Sequence, residues 1–163
     1  MGESTVITHA LLTIVAVTVA STLAGVVIFN LSDLGNSISG LVKMGSEKIK
    51  TSVIIAYVSV NTSSTPYVYN IYAKNVGSSH TTNIDLIDIF LGTYGSTLDY
   101  YKYGTQGSVG TWNYTEIGNN DGVWDPGETL ILHVYSDKLY QSPIEVVLVL
   151  PQGVKVSGVE PLS

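Results

Sequence analysis

Val6–Phe29 reads VITHALLTIVAVTVASTLAGVVIF, a run of 24 residues without Asp, Glu, Lys or Arg. As an α-helix rising about 1.5 Å per residue it would be roughly 36 Å long. A bilayer hydrocarbon core is about 30 Å thick, so the run is long enough to cross with some tilt. A buried helix of a soluble protein would show a polar face every 3.6 residues, whereas here only Thr8, His9, Thr13, Thr18, Ser21 and Thr22 interrupt. A cleaved secretory signal would open with basic residues ahead of a shorter apolar stretch. Met1–Thr5 contain none. Residues 1–30 are therefore expected to form a transmembrane helix.

Ala16, Ala20 and Ala24 recur every four residues, with Gly25 beside the last. A face of small side chains lets membrane helices approach closely, so the anchor is a candidate for pairing, although alanine is also common in such helices without it. His9, one turn inside the boundary, reads as an interfacial polar residue rather than a proton-transfer site.

The chain has 163 residues, enough for the anchor and one domain of ordinary size. Cysteine is absent, which excludes disulfides, thiolate metal sites and a cysteine nucleophile. Arginine is absent too: the basic residues are Lys43, Lys48, Lys50, Lys74, Lys102, Lys138 and Lys155, and the formal charge is -6. Nucleic acid is excluded as a partner, because its phosphates are held by the cationic forks this chain lacks.

The lysines nearest the anchor are Lys43, Lys48 and Lys50, which taken alone would put the C-terminal side in the cytoplasm. The rest of the chain points outward. It is rich in Tyr, Thr, Ser and Asn, and it carries N-x-Ser/Thr sequences at Asn30-Leu31-Ser32, Asn61-Thr62-Ser63 and Asn113-Tyr114-Thr115. The expected location is the cell membrane, single-pass, with the C-terminal domain outside. Residues 31–50 keep a broken helical spacing through Leu31, Leu34, Ile38, Leu41, Val42 and Ile49, with glycines at 35, 40 and 45. Each internal glycine costs about 1 kcal/mol relative to alanine. The expectation is a helical stalk or linker that frays at the glycines and ends before Lys50.

From Thr51 onward β-branched and aromatic runs follow one another: 53–60, 67–73, 84–91, 97–103, 111–117, 129–135, 144–150 and 154–159, separated by polar turn clusters such as 61–66 and 75–77. With no helical period between them, residues 51–163 are expected to form an antiparallel, Ig-like β-sandwich of about eight strands, with no parallel sheet. The fold class is mainly β behind an N-terminal transmembrane α-helix.

Asp85 and Asp88 interrupt the apolar run 84–90. Three apart in a strand they would face opposite ways, so they read as gatekeeping charges on an edge strand and not as a carboxylate pair. In 119–128, NNDGVWDPGE, oxygens at Asn119, Asp121, Asp125 and Glu128 surround a permissive glycine. They can in principle meet the six to eight oxygens of a calcium ion, but the match to an EF-hand loop is poor. A plain turn needs the same residues. His80 and His133 are the only histidines outside the anchor, and alternation sets His133 on one face with Ile131 and Tyr135 as a core or cross-strand residue. No Gly-x-Ser-x-Gly elbow, phosphate loop or His-Glu-x-x-His helix is present. No catalytic residue, cofactor site or metal site is expected, and the protein is not expected to be an enzyme.

The short start without a basic residue, the helix ending Leu23-Ala24-Gly25-Val26-Val27, then Leu34, Ser37-Ile38-Ser39, and Lys50-Thr51 opening the strand Val53-Ile54-Ile55 resemble the FlaG family of archaellum accessory proteins, relatives of the archaeal flagellins. Tyr72-Ala73-Lys74-Asn75-Val76-Gly77 resembles a strand and Asn-x-Gly turn of the same family's sandwich. The resemblance implies an archaellin-like β head on a single membrane helix, in the pseudo-periplasm below the surface layer (S-layer) of an archaeon. It also implies a stator role in motility, in which the protein works with a partner accessory protein, FlaF, to hold the rotary motor against that layer.

Two other classes remain. A structural subunit of an archaellum or type IV pilus-like filament would share the apolar helix, but such subunits are made with a basic prepeptide ending Lys-Gly or Arg-Gly. A glycan-binding module would use Tyr100, Tyr101, Tyr103 and Trp112 as a stacking surface, although tyrosine is also enriched in protein interfaces. An exposed apolar edge strand would support self-association.

Overall fold

The whole N-terminal third folds as one helix. In the computed structural model, which describes residues 2–63 and 65–162 with side chains from Val6 onward, α1 runs Gly2–Lys50 without a break. Residues 1–5 and Ser64 of the first turn cluster thus lie wholly or partly outside the description. The expected fraying at Gly35, Gly40 and Gly45 does not occur, and the helix ends at Lys50 rather than before it. Glycine costs are paid one residue at a time, whereas helix propagation is cooperative, so three isolated glycines do not divide a helix of 49 residues.

From Val6 onward α1 contains a segment long and apolar enough to cross a membrane, and none of that segment is buried within the chain. Leu11, Leu23, Ile28 and Phe29 all stand open, so this is not the covered core helix of a soluble protein. Its hydroxyls are satisfied from within. Thr13 donates to His9 O (2.8 Å), Ser21 to Val17 O (2.8 Å) and Thr22 to Thr18 O (2.8 Å), which removes the cost of placing them in hydrocarbon.

The chain divides into two compact units, 1–44 and 45–163. The second contains eight strands: β1 Val53–Asn61, β2 Tyr67–Asn75, β3 Asp88–Thr93, β4 Asp99–Tyr103, β5 Thr111–Ile117, β6 Thr129–Ser136, β7 Ile144–Val149 and β8 Lys155–Glu160. Their order is β1-β2-β6-β5-β4-β3-β7-β8. The sheet rolls into a near-barrel: a Cβ on Gly158 of β8 would lie 3.2 Å from Ile55 of β1, so the two ends of the order meet. Alternation sets the core. In β6, Leu130, Leu132 and Val134 are fully buried while Ile131, His133 and Tyr135 face out.

Three sequence expectations fail here. The run 84–91 is not one strand: Ile84–Leu86 forms a 3₁₀ turn carrying Asp85, and β3 starts at Asp88. Nor is β3 an edge, since it lies between β4 and β7. The sheet also contains one parallel pair, β4 with β5, at Lys102↔Thr111 and Tyr103↔Trp112. Parallel neighbours normally need a crossover of a dozen or more residues. Here the end of β4 overlaps only the start of β5, so residues 104–110 suffice as the connection.

That short joint links the two halves of the sheet, and a hydroxyl network reinforces it. Tyr101 of β4 is 3% exposed, and its Oη lies 2.9 Å from Ser136 Oγ and 2.6 Å from Tyr140 Oη. Tyr140 in turn donates to Asp99 Oδ2 (2.6 Å), which also receives Lys138 Nζ (2.8 Å). The Tyr69 hydroxyl closes the group, accepting from Tyr140 N (2.8 Å) and donating to Lys138 O (3.2 Å). Burial and the bond to Asp99 hold the Tyr140 phenol far above its ordinary pKa, and the bonds from Lys138 and Tyr140 hold the Asp99 carboxyl below its own.

A second polar corner closes the helix end. Asn75, fully buried, donates from Nδ2 to Ser79 O (2.9 Å) and Trp124 O (3.0 Å) and accepts from Gly77 N (3.0 Å). Ser52 O accepts from Val76 N and Gly77 N, and Lys50 O accepts from Ser78 N, each at 2.9 Å. The last carbonyl of α1 therefore has a partner. Gly77 is required by close approach, since a Cβ there would collide with Lys50 O and lie 2.6 Å from Ser52 N.

Trp112 and Trp124 are the only tryptophans and both are fully buried in this unit, so their emission follows its unfolding in the full-length chain in detergent. Asn75→Ala removes three buried hydrogen bonds. Because Trp124 O and Gly77 N keep second partners, the expected loss is about 1–3 kcal/mol. An unchanged unfolding midpoint would refute this account of the corner. The depressed pKa of Asp99 gives a pH signature. Its stabilising effect is fully present above the ordinary carboxylate pKa of about 3.9, and it is lost as pH falls from there through the lower folded value. Asp99→Asn should lower stability at pH 7 and flatten that part of the acid limb, and an acid limb identical to wild type would contradict the assignment.

Candidate functional site

The four aromatic residues offered as a stacking surface do not share one exposed face. Along β4, Tyr101 is buried in the core, Tyr100 lies on the opposite face, and Tyr103, on the same side of the pleat as Tyr101, is partly exposed at the strand end. Trp112 of β5 is fully buried against Tyr103, with ring centroids 5.2 Å apart at 70°. Tyr100 is 53% exposed, stacks on Phe90 at 5.3 Å and donates to Asp88 Oδ1 (2.9 Å), the bond that raises its pKa. No four-ring platform exists, and the glycan-module reading loses its surface.

In the loop 119–128, Asp121 and Glu128 are engaged by the loop's own amides, and Glu116 of β5 reaches in from outside. Glu116 accepts from Gly122 N (3.1 Å), Asp121 from Val123 N (3.0 Å), and Glu128 from Asp125 N (3.0 Å). Gly127, with φ +91°, lies inside the turn that Glu128 N closes on Asp125 O (3.1 Å). This is the left-handed position such a turn demands. Trp124, fully buried, anchors the loop by donating from Nε1 to Glu128 O (3.1 Å) and exchanging backbone bonds with Thr81. Among the described residues no three His, Asp or Glu side chains are gathered as metal ligands.

His133 lies half-buried on the outer face of β6, its ring nitrogens 2.7 Å from Asn70 Oδ1 and 3.0 Å from Thr115 Oγ1. Burial lowers its pKa, and it bridges β2, β6 and β5 as the cross-strand residue the alternation indicates. His80 is exposed in the loop after β2, and Asp85 is exposed on its 3₁₀ turn. No histidine, carboxylate and nucleophile converge among these residues. The sequence reading missed the network of Tyr69, Asp99, Tyr101, Ser136, Lys138 and Tyr140, whose only trace is the inward position of Tyr101 in Asp99-Tyr100-Tyr101-Lys102-Tyr103. It also missed an apolar groove on the outer face, lined by Phe90, Leu98, Val147, Val149 and the Lys155 stem. Its signal was the apolar run Val146-Val147-Leu148-Val149 of β7, where Val147 is covered although it faces away from the core.

The chain is similar to several known proteins. Over 151 residues the chain is 28% identical to an uncharacterized protein of Archaeoglobus fulgidus, covering 89% of this chain and 88% of that one. Among solved structures it is similar to the archaellum periplasmic stator protein FlaG from Sulfolobus acidocaldarius, with a TM-score of 0.53 and 22% identity over 67% of this chain and 98% of that one. It is likewise similar to a chain of the FlaF and FlaG stator complex from the same organism, with a TM-score of 0.53 and 25% identity over 66% of this chain and 86% of that one. The archaeal flagellum of Methanospirillum hungatei strain JF1 matches with a TM-score of 0.67 and 13% identity over 96% of this chain and 93% of that one. The sequence model of archaeal-type flagellin matches residues 2–158, and the chain belongs to that family.

Proposed function

We propose that this protein is a non-enzymatic, membrane-anchored component of the archaellum motor. In this reading residues 1–30 span the membrane, 31–50 form a stalk, and 51–163 stand outside the cell as a rigid head. The head works with a FlaF-like accessory protein to couple the motor to the surface layer. The observation that carries the reading is the likeness to the stator complex at 25% identity, over a share of this chain close to that of residues 51–163. The uncovered apolar surface of α1 supports the anchor, because exposed apolar area of that extent needs lipid or another helix to cover it. Ala16, Ala20 and Ala24 stand open on α1 and suit self-association through the helix.

A filament subunit is the second reading. It is favoured by the flagellum match, which extends over 96% of this chain and so includes most of the helix. In a rod, the same apolar side chains would be covered by neighbouring copies rather than by lipid.

Deletion of the gene, followed by motility assays and electron microscopy, separates the two. A motor component should leave cells that fail to swim while the protein itself, in wild-type cells, fractionates with membranes and not with sheared filaments. Recovery of the protein as the bulk of sheared filaments would establish the second reading, and unchanged swimming with normal filaments would remove both. Ala20→Leu should weaken crosslinking between copies in membranes without changing the tryptophan-monitored stability of the head. Equal crosslinking would exclude that helix face.

A further inference from the structure

We infer that Asn61 carries an N-linked glycan and that Asn113 and Asn30 do not. The inference rests on the reading that the head lies outside the cell. All three asparagines satisfy the N-x-Ser/Thr rule, so the sequence ranks them equally. Their surroundings do not.

Glycan transfer requires the asparagine Nδ2 to attack the anomeric carbon of a lipid-linked sugar phosphate. A C–N bond forms, the bond from that carbon to the phosphate oxygen breaks, the lipid phosphate leaves with the electron pair, and one amide proton is released. The acceptor amide must therefore reach an enzyme pocket with Nδ2 free, and the hydroxyl two residues on must be free beside it.

Asn61 meets these demands. It is the last residue of β1, exposed, at the turn into β2. Its Oδ1 accepts from Ser63 N (3.0 Å), which fixes the amide plane while no described residue bonds Nδ2. Thr62 and Ser63 are exposed as well. The chain therefore folds identically with or without a sugar at this place.

Asn113 sits inside β5, paired with β6 from Thr111 to Ile117. It is half-buried, its Oδ1 accepts from Tyr135 Oη (3.4 Å), and the Thr115 hydroxyl is engaged with His133 (3.0 Å). A sugar there would have to be accommodated on a paired sheet face, and the sequon's hydroxyl is not free to assist its transfer. Asn30 lies within α1, where reaching an extended acceptor conformation would require opening the helix. Since β1 rises about 3.3 Å per residue, Asn61 stands roughly 26 Å from Val53. The glycan therefore marks the end of the head opposite the corner where Lys50 meets Ser78.

The test uses the full-length protein purified from the membranes of its own archaeal cells, with mass spectrometry of the three sequon peptides. Location is read separately: the chain has no cysteine, so Gln106→Cys, at an exposed loop position, is labelled with a membrane-impermeant maleimide on intact cells. Expected are labelling from outside and a glycan on Asn61 in most molecules. Occupancy should fall to none in Asn61→Gln and Ser63→Ala and remain unchanged in Asn113→Gln. Outside labelling with a bare Asn61, or with sugar on Asn113 or Asn30, overturns the inference and leaves the location standing. Labelling only after cells are opened overturns the location and the inference together.

Discussion

The buried side-chain amide of Asn75 is the constraint on which the arrangement of this head depends. It sits where β2 ends, β1 begins and the loop 119–128 returns, and it bonds backbone groups of Ser79, Trp124 and Gly77. A buried amide with both donors and its acceptor engaged specifies one geometry, because any other would orphan polar groups away from water. The same corner receives the end of α1 through Lys50 O and Ser78 N.

The head has a second dependency at β4. A strand of five residues with two parallel partners would be a weak seam between half-sheets. The hydroxyls of Tyr101, Ser136 and Tyr140, with the Asp99–Lys138 pair at the rim, bind it to the connection after β6. The pair itself is exposed and adds little, as surface ion pairs do. The buried hydroxyls hold the seam, since each would lose its partner if β4 moved. The titrating groups of the head are thus engaged in architecture: tyrosines kept protonated by burial and hydrogen bonds, and a histidine kept toward its neutral form.

What is absent from the described surface is a place where reacting groups converge, and what is present is an outer face with one apolar groove and a neighbouring Tyr100–Phe90 pair. The solved structures to which the chain is similar are stator proteins and a filament.

The sequence by itself determined the elements. A charge-free run of 24 residues reads as helix in any context, and β-branched runs between polar clusters placed the strands, most of them to within two residues. These signals are local: hydrophobicity, backbone propensity and turn chemistry act over a few neighbouring residues. Pairing was decided only in three dimensions. The parallel contact of β4 with β5 and the interior position of β3 depend on where the sheet rolls. So does the fate of Tyr101 and Trp112, which composition made equivalent to Tyr100 and Tyr103 but which the rolled sheet buries. The oxygens of 119–128 were open to two uses in the sequence, and the fold assigned the carboxylates of Asp121 and Glu128 to the loop's own amides. Each of these outcomes follows from partners far apart in the chain, and no local pattern encodes a distance across the sheet.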